Sequence, residues 1–127
     1  MNKTALILIL VSMFTGCAGV GEISSSGEDN VGPYPDNWKS IAAAYIKTSY
    51  FDPYSVRDSE AAPPFRNRKA FYDTWTLCIR NNAKNRFGAY TGLRATAIGI
   101  KKGQIDLVND DYDCKNRNLN YQPLPIN

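Results

Sequence analysis

The residues that could do chemistry in this chain are its three cysteines and a group of aspartates, because histidine is absent. Without histidine the chain lacks the usual general base and the usual partner that activates a serine or cysteine nucleophile. Cys78 and Cys114 alone also fall short of the usual zinc ligand sets. The sequence therefore predicts a protein that is not an enzyme and that binds no metal or cofactor.

Four aspartates lie close together late in the chain: Asp106, Asp110, Asp111 and Asp113. Paired carboxylates can hydrolyse a glycan, and several carboxylates can hold calcium. Their spacing fits no familiar calcium loop, and acidic turns are commonly just solvated. A small carboxylate-based hydrolase is the weaker alternative that these residues leave open.

The first sixteen residues have the pattern of a secretory signal peptide. Lys3 precedes an apolar run over residues 5–14, and two small residues follow that run. A transmembrane helix needs about 20 apolar residues, which is longer than this run. A buried core helix is the other alternative, but the glycines and serines that follow would leave it without a partner. We expect residues 1–16 to be a signal peptide.

The run Phe14-Thr15-Gly16-Cys17 resembles the lipobox of bacterial lipoproteins, in which small residues precede an invariant cysteine. The resemblance implies cleavage before Cys17 and acylation of that cysteine, and several acyl chains anchor a protein stably in a membrane. In Gram-negative lipoproteins an Asp after the cysteine resembles an inner-membrane retention signal, and here Ala18 follows instead. The resemblance therefore implies a lipid anchor in the cell outer membrane with the domain in the periplasm.

If Cys17 carries lipid, Cys78 and Cys114 remain as an even pair in an oxidising compartment. Such a pair favours a disulfide. The bridge would close a loop of about 37 residues and contribute about 4 kcal/mol in the chain-entropy model. Two free buried thiols or a metal site are the alternatives.

A flexible tether and then a helix are predicted after Cys17. Residues 17–35 are rich in glycine and serine and cannot bury enough apolar surface to become ordered. Asp36 is a good helix N-cap, and Pro53 ends the helix near Tyr50. The apolar residues of this segment recur at helical spacing and form one stripe: Trp38, Ile41, Ala42, Tyr45 and Ile46.

The next segments predict β-strands. Residues 55–65 indicate an irregular edge strand followed by a loop, because Pro63-Pro64 cannot lie in a central strand. Residues 71–82 form the clearest strand, with Trp75 on one face and Cys78 on the other. If Cys78 bonds to Cys114, the C-terminal segment must cross that second face.

Two further strands, residues 93–101 and 104–108, are joined by a tight hairpin in which Gly103 takes a positive φ. Residues 81–92 are predicted to be a long connection, and residues 115–127 an irregular tail. The sum is an α+β fold with one N-terminal amphipathic helix packed on a small antiparallel sheet of three or four strands. It forms a single domain over residues 36–127.

A basic segment is the strongest candidate for a binding surface. Between residues 66 and 102 the chain has nine basic side chains and one acid, Asp73, in a chain whose net charge is only +3. Its centre supplies the predicted partner-binding residues: Arg80, Asn82, Lys84, Asn85, Arg86, Phe87 and Tyr90. Such a surface could bind an acidic envelope protein or an anionic glycan. The competing interpretation is that the aspartates of residues 106–113 fold back and neutralise it.

Residues 82–92, together with residues 52–55, are similar to small lipoproteins of alphaproteobacteria such as rhizobia. That resemblance covers most of residues 36–114, and the family has no established activity to transfer. It implies an envelope lipoprotein. The predicted function is a lipid-anchored, non-enzymatic interaction or assembly module that uses the basic loop. Binding of lipopolysaccharide or peptidoglycan is the alternative, and no nucleic acid is expected as a partner, because the protein is secreted.

Overall fold

The structure, a computed structural model, describes residues 29–69, 72–109 and 112–126. Within these ranges one main helix lies against one antiparallel sheet of five strands in the order β4-β3-β2-β1-β5. The elements in chain order are α1 (Trp38–Ser49), a 3₁₀ turn (Pro53–Ser55), β1 (Arg57–Lys69), β2 (Tyr72–Lys84), β3 (Tyr90–Lys101), β4 (Gln104–Asn109), α2 (Tyr112–Lys115) and β5 (Gln122–Pro123). No helix in these ranges is long and apolar enough to cross a membrane.

The α+β class is confirmed, but the prediction of three or four strands is wrong. The fifth strand comes from the tail that was expected to be irregular: β5 pairs with Glu60 and Ala61 of β1. The Leu124 N–H donates to the Ser59 carbonyl at 2.8 Å, and the Leu124 side chain is buried in the core. The prolines of the tail led to the prediction of an irregular segment, but a two-residue edge strand tolerates proline.

Helix α1 covers one face of the sheet with the predicted apolar stripe. Trp38, Ala42 and Ile46 are buried against aliphatic side chains of the three longest strands: Ala61, Leu77, Ile79, Ile98 and Ile100. The N-cap prediction is wrong, because Asn37 precedes the helix and its side chain makes no capping hydrogen bond. The helix is the first element of the described residues, and its N-terminal place in the mature chain stays a prediction.

The second face of the sheet carries the disulfide. Cys78 and Cys114 are bonded, with their Cα atoms 5.7 Å apart, which confirms the predicted pair. Cys78 lies on the face opposite Trp75, where Ala62 and Ala97 pack beside it. The short helix α2 brings Cys114 across this face, as the pairing requires.

Strand β1 runs straight through Pro63-Pro64, where a loop was expected. Its pairing with β2 shifts register between Ala62 and Phe65, so the two prolines occupy an irregularity in the ladder. Proline lacks the N–H that a central strand must donate. Beyond Glu60 and Ala61, the outer side of β1 has no strand partner within the described residues, so this loss is tolerated.

The predicted long connection over residues 81–92 is also wrong, because β2 and β3 form a hairpin with a loop at residues 85–89. The Asn85 side-chain oxygen accepts hydrogen bonds from the N–H groups of Phe87 and Ala89 at 3.0 and 3.1 Å. Gly88 takes a φ of 80°, which glycine adopts without strain. The β3–β4 hairpin is confirmed, with positive φ at both Lys102 and Gly103, as a type I′ turn requires.

Residues 29–35 lie against the sheet, so the predicted tether over residues 17–35 does not extend to its expected end. Val31 is only 2% exposed, and its carbonyl accepts the Lys102 N–H at 2.7 Å. The Gly32 carbonyl accepts the indole N–H of Trp75 at 3.0 Å. The predicted signal peptide, Cys17 and the rest of the predicted tether lie outside the described residues.

Candidate functional site

Arg80, one of the predicted partner-binding residues, is engaged within the protein. Its guanidinium donates to the Glu60 carboxylate and lies 4.1 Å from the ring centre of Tyr121. Glu60 is the residue opposite Arg80 in the β1–β2 ladder. This cation therefore lies on the disulfide face, and an external partner would have to compete with these two contacts.

Asn82 and Asn85 shape the hairpin. The Asn82 side-chain oxygen accepts the Gly92 N–H at 3.0 Å, and the Asn85 oxygen accepts two loop N–H groups. Both amides were predicted to contact a partner. Their oxygens instead satisfy backbone groups, which holds the loop in one conformation for the side chains beside it.

Arg86 and Phe87 form the tip of this hairpin and project from the protein. Phe87 is 95% exposed. None of the ion pairs in the described ranges involves Arg86. An exposed ring beside a cation that has no carboxylate partner among the described residues is available for contact with another molecule.

Tyr90 fastens the base of the hairpin to the 3₁₀ turn. Its hydroxyl donates to the Ser55 carbonyl at 3.0 Å. The Arg57 guanidinium lies 3.8 Å from the Tyr90 ring centre, and the Lys84 ammonium lies 5.4 Å from it. Tyr90 therefore holds two cations at the same end of the sheet as Arg86.

Sequence reasoning missed Phe51, Tyr54 and Arg57, which join this end of the protein through the contact between Ser55 and Tyr90. Phe51 is 80% exposed and Tyr54 is 99% exposed. The signal was present, because an aromatic residue stands close on each side of Pro53 in a recognised turn. Arg57 contacts Tyr90, whereas Tyr54 lines a separate cavity with Lys47, Val56 and Ile126. We call the hairpin and the cations around Tyr90 the tip surface; it consists of Arg57, Lys84, Arg86, Phe87 and Tyr90.

The comparisons with known proteins found no match. No protein-family model, curated protein or solved structure matches the chain. The tip surface is thus defined by its own geometry: an exposed ring and cations on a braced hairpin.

The competing interpretation was that aspartates neutralise the basic loop. Those aspartates that the structure describes form ion pairs with residues outside the loop. Asp106 contacts Lys101 at 3.3 Å, and Asp113 contacts Lys69 at 2.7 Å. Lys101 and Lys69 end the strands β3 and β1 on the side of the sheet away from the tip surface. Asp110 and Asp111 lie outside the described residues. In the part of the chain that the structure describes, no cluster of three or more metal-ligating side chains occurs.

Proposed function

We propose that the protein is a lipid-anchored, non-enzymatic component of the bacterial outer membrane that binds an envelope partner through the tip surface. The observation that carries this proposal is the exposed pair Arg86 and Phe87 on a hairpin that Asn85 and Tyr90 hold in place. A surface that is already ordered loses little conformational freedom on binding. Aromatic and arginine side chains are also the residues that dominate binding energy at protein interfaces.

The lipid anchor would hold the protein at the membrane through the residues that precede Asp29. Eleven residues separate Cys17 from Asp29, where the described, packed part of the chain begins. Even fully extended, this spacer reaches only about 40 Å. Asp29 is bonded to Arg66, near the end of β1 that lies away from the tip surface, so the length of the sheet adds to this reach and the tip surface would point away from the attachment point.

An envelope protein fits the tip surface better than a purely anionic polymer, because an exposed ring accompanies the cations. Phe87, which is 95% exposed beside Arg86, supplies apolar contact area that a polyanion would not need. An anionic glycan of the envelope remains the alternative, since Arg86 pairs with no carboxylate among the described residues. Binding that depends on charge alone falls steeply as salt screens it, which separates the two partners.

The test is capture of envelope components by the full-length lipidated protein. The double variant Arg86→Gln/Phe87→Ala should reduce capture of any specific partner by about tenfold, a change of about 1.4 kcal/mol in binding. The matched control is Lys102→Gln/Tyr112→Ala, which removes an exposed cation and a 70% exposed ring at the other end of the sheet. Equal capture by the tip variant and the wild type would contradict the proposal. Capture that survives high salt indicates a protein, and capture that is lost indicates an anionic glycan.

A further inference from the structure

A polar groove lies on the helix side of the sheet, between the end of α1 and the ends of β2 and β3 that lead to the hairpin. It encloses about 470 Å³, within the usual range for sites that hold small molecules. Seven residues line it: Tyr50, Asn81, Ala83, Thr91, Arg94, Ala95 and Thr96. None of the seven is acidic, and Arg86 and Phe87 of the tip surface are not among them.

Asn81 gives the groove a hydrogen-bond donor that has no acceptor. The residue is only 2% exposed, and its side-chain Nδ2 finds no partner within the described residues. Buried polar groups are nearly always hydrogen-bonded, so an unpartnered amide in the wall of a groove indicates a missing acceptor. A ligand oxygen would supply it if binding opens the wall of the groove, because Nδ2 itself is closed to solvent.

Arg94 adds an unpaired cation beside this amide. It is the residue opposite Asn81 in the β2–β3 ladder, so both side chains lie on the same face of the sheet. Arg94 is exposed and takes part in none of the ion pairs of the described ranges. The planar guanidinium matches the two oxygens of a carboxylate or phosphate. A cation and an amide donor, side by side and without an acid, select an anion.

The other residues that line the groove indicate which kind of molecule would carry the anionic group. Tyr50, Thr91 and Thr96 present hydroxyl groups and Ala83 presents a methyl group, whereas the Ala95 methyl packs against the disulfide cluster on the opposite face. The Thr91 hydroxyl donates to the Ala83 carbonyl at 3.3 Å, which leaves its oxygen able to accept. A ring with hydroxyls at its edge and C–H groups on its face matches this mixture of polar and small apolar contacts.

We propose that this groove binds an acidic sugar, with Arg94 holding the carboxylate or phosphate and Asn81 donating to a neighbouring oxygen. The inference rests on the proposed location of the protein in the cell envelope, where acidic sugars occur in the glycans. It does not depend on the tip surface. A protein with both sites would contact an envelope glycan and an envelope protein at adjacent positions.

The test is titration of the full, oxidised protein with glucuronic acid, glucose 6-phosphate and neutral glucose, followed by calorimetry and by NMR shifts of the Asn81 side-chain amide. We expect an acidic sugar to bind with a Kd of about 1 mM or below and glucose to bind at least about tenfold more weakly. Glucuronic acid and glucose 6-phosphate distinguish carboxylate from phosphate as the preferred anion. Equal binding of glucose, or no binding of either acidic sugar, would overturn the proposal.

Substitutions test whether the acidic sugar binds in this groove. Arg94→Gln should weaken binding of the acidic sugar by at least about tenfold, and Arg94→Lys, which keeps the charge but loses the fork, should weaken it less. Arg86→Gln removes the same charge at the hairpin tip and should leave sugar binding unchanged. If Arg86→Gln weakens sugar binding and Arg94→Gln does not, the proposal that the groove binds the sugar is wrong. The proposal for the tip surface would be unaffected by that result. Loss of partner capture without loss of sugar binding would separate the two sites.

Discussion

Arg66 is the side chain that joins the segment before α1 to the sheet. Its guanidinium makes two hydrogen bonds to Asp73 on β2, at 2.5 and 2.8 Å, and two to Asp29, at 2.8 and 3.1 Å. Paired N–H donors on one carboxylate give both strength and a fixed geometry. The same side chain lies 5.4 Å from the ring centre of Trp75, which is also hydrogen-bonded to Gly32. Arg66 therefore fixes where residues 29–35 lie.

The hydrogen bond from Arg66 lowers the pKa of the Asp73 carboxyl below its usual range, and it lowers the pKa of Asp29 as well. A carboxyl whose pKa is lowered by folding stabilises the protein above the unfolded pKa, about 3.9. That stabilisation is lost as the pH falls through the lower, folded pKa.

Replacing Asp73 with Asn tests this linkage. We expect Asp73→Asn to unfold at a lower urea concentration than the wild type at pH 6, because the variant lacks the charge that Arg66 binds. The difference should shrink as the pH falls from about 4, where the Asp73 carboxyl of the unfolded chain takes up a proton, to the lower pKa of the folded protein. Urea unfolding followed by tryptophan fluorescence from pH 6 to pH 2 measures both. A difference that stays constant over that range would show that the ion pair is not the cause.

The structure also shows that some of the predicted partner-binding residues make contacts within the protein, which composition alone could not predict. Asn82 and Asn85 were grouped with Arg86 and Phe87, because amides, cations and rings all suit a binding loop. Only the backbone geometry shows that the two amide oxygens accept N–H groups of their own hairpin. Arg80 was misjudged for a similar reason, since its partner Glu60 lies twenty residues earlier and faces it only through strand pairing.

Strand β2 is the element that joins the two cores. Leu77 and Ile79 point to α1, while Cys78 points to the disulfide and α2. Period-two alternation in the sequence was sufficient to predict these faces. The course of β1 could not be predicted, because Pro63-Pro64 is a breaker signal, and its position at a register shift on a mostly open edge follows from the pairing alone.

Reduction of the Cys78–Cys114 bond tests what the disulfide contributes. The bond links residues 36 apart, and the chain-entropy model gives about 4 kcal/mol for a loop of that size. We expect the reduced and alkylated protein to lose about that much free energy of unfolding relative to the oxidised protein, measured by urea unfolding. An unchanged midpoint would show that the two cores hold α2 in place without the bond.

The segment before α1 is the element that sequence reasoning assigned to the tether. The glycines and serines of residues 17–35 predicted a flexible tether, although Val31 near its end is buried. Val31→Ala should cost about 2 kcal/mol, from lost apolar burial and the cavity left behind. Val108→Ala on β4, where the side chain is 40% exposed, is the matched control and should change stability by less than about 0.5 kcal/mol. Equal, small effects of the two substitutions would mean that residues 29–35 do not pack as described.

On the scale of the whole molecule, the sheet separates two ends of different character. At one end the ion pairs Lys69–Asp113 and Lys101–Asp106 neutralise the cations that end β1 and β3. At the other end the tip surface presents rings and cations, with Tyr90 as the brace. The basic segment was visible in the sequence, but which of its cations pair with a carboxylate depends on strand order. The anchor at Cys17 stays a prediction from the lipobox.

The most direct test of the central claim places a photo-reactive phenylalanine analogue at position 87 in the full-length protein in intact cells. Illumination should join position 87 to one discrete envelope component, and the Arg86→Gln change should lower the yield. The same analogue at position 112, where the ring is 70% exposed at the end of the sheet away from the tip surface, should give no such product. No discrete product at position 87, or the same products at positions 87 and 112, would contradict the claim that the tip surface binds an envelope partner.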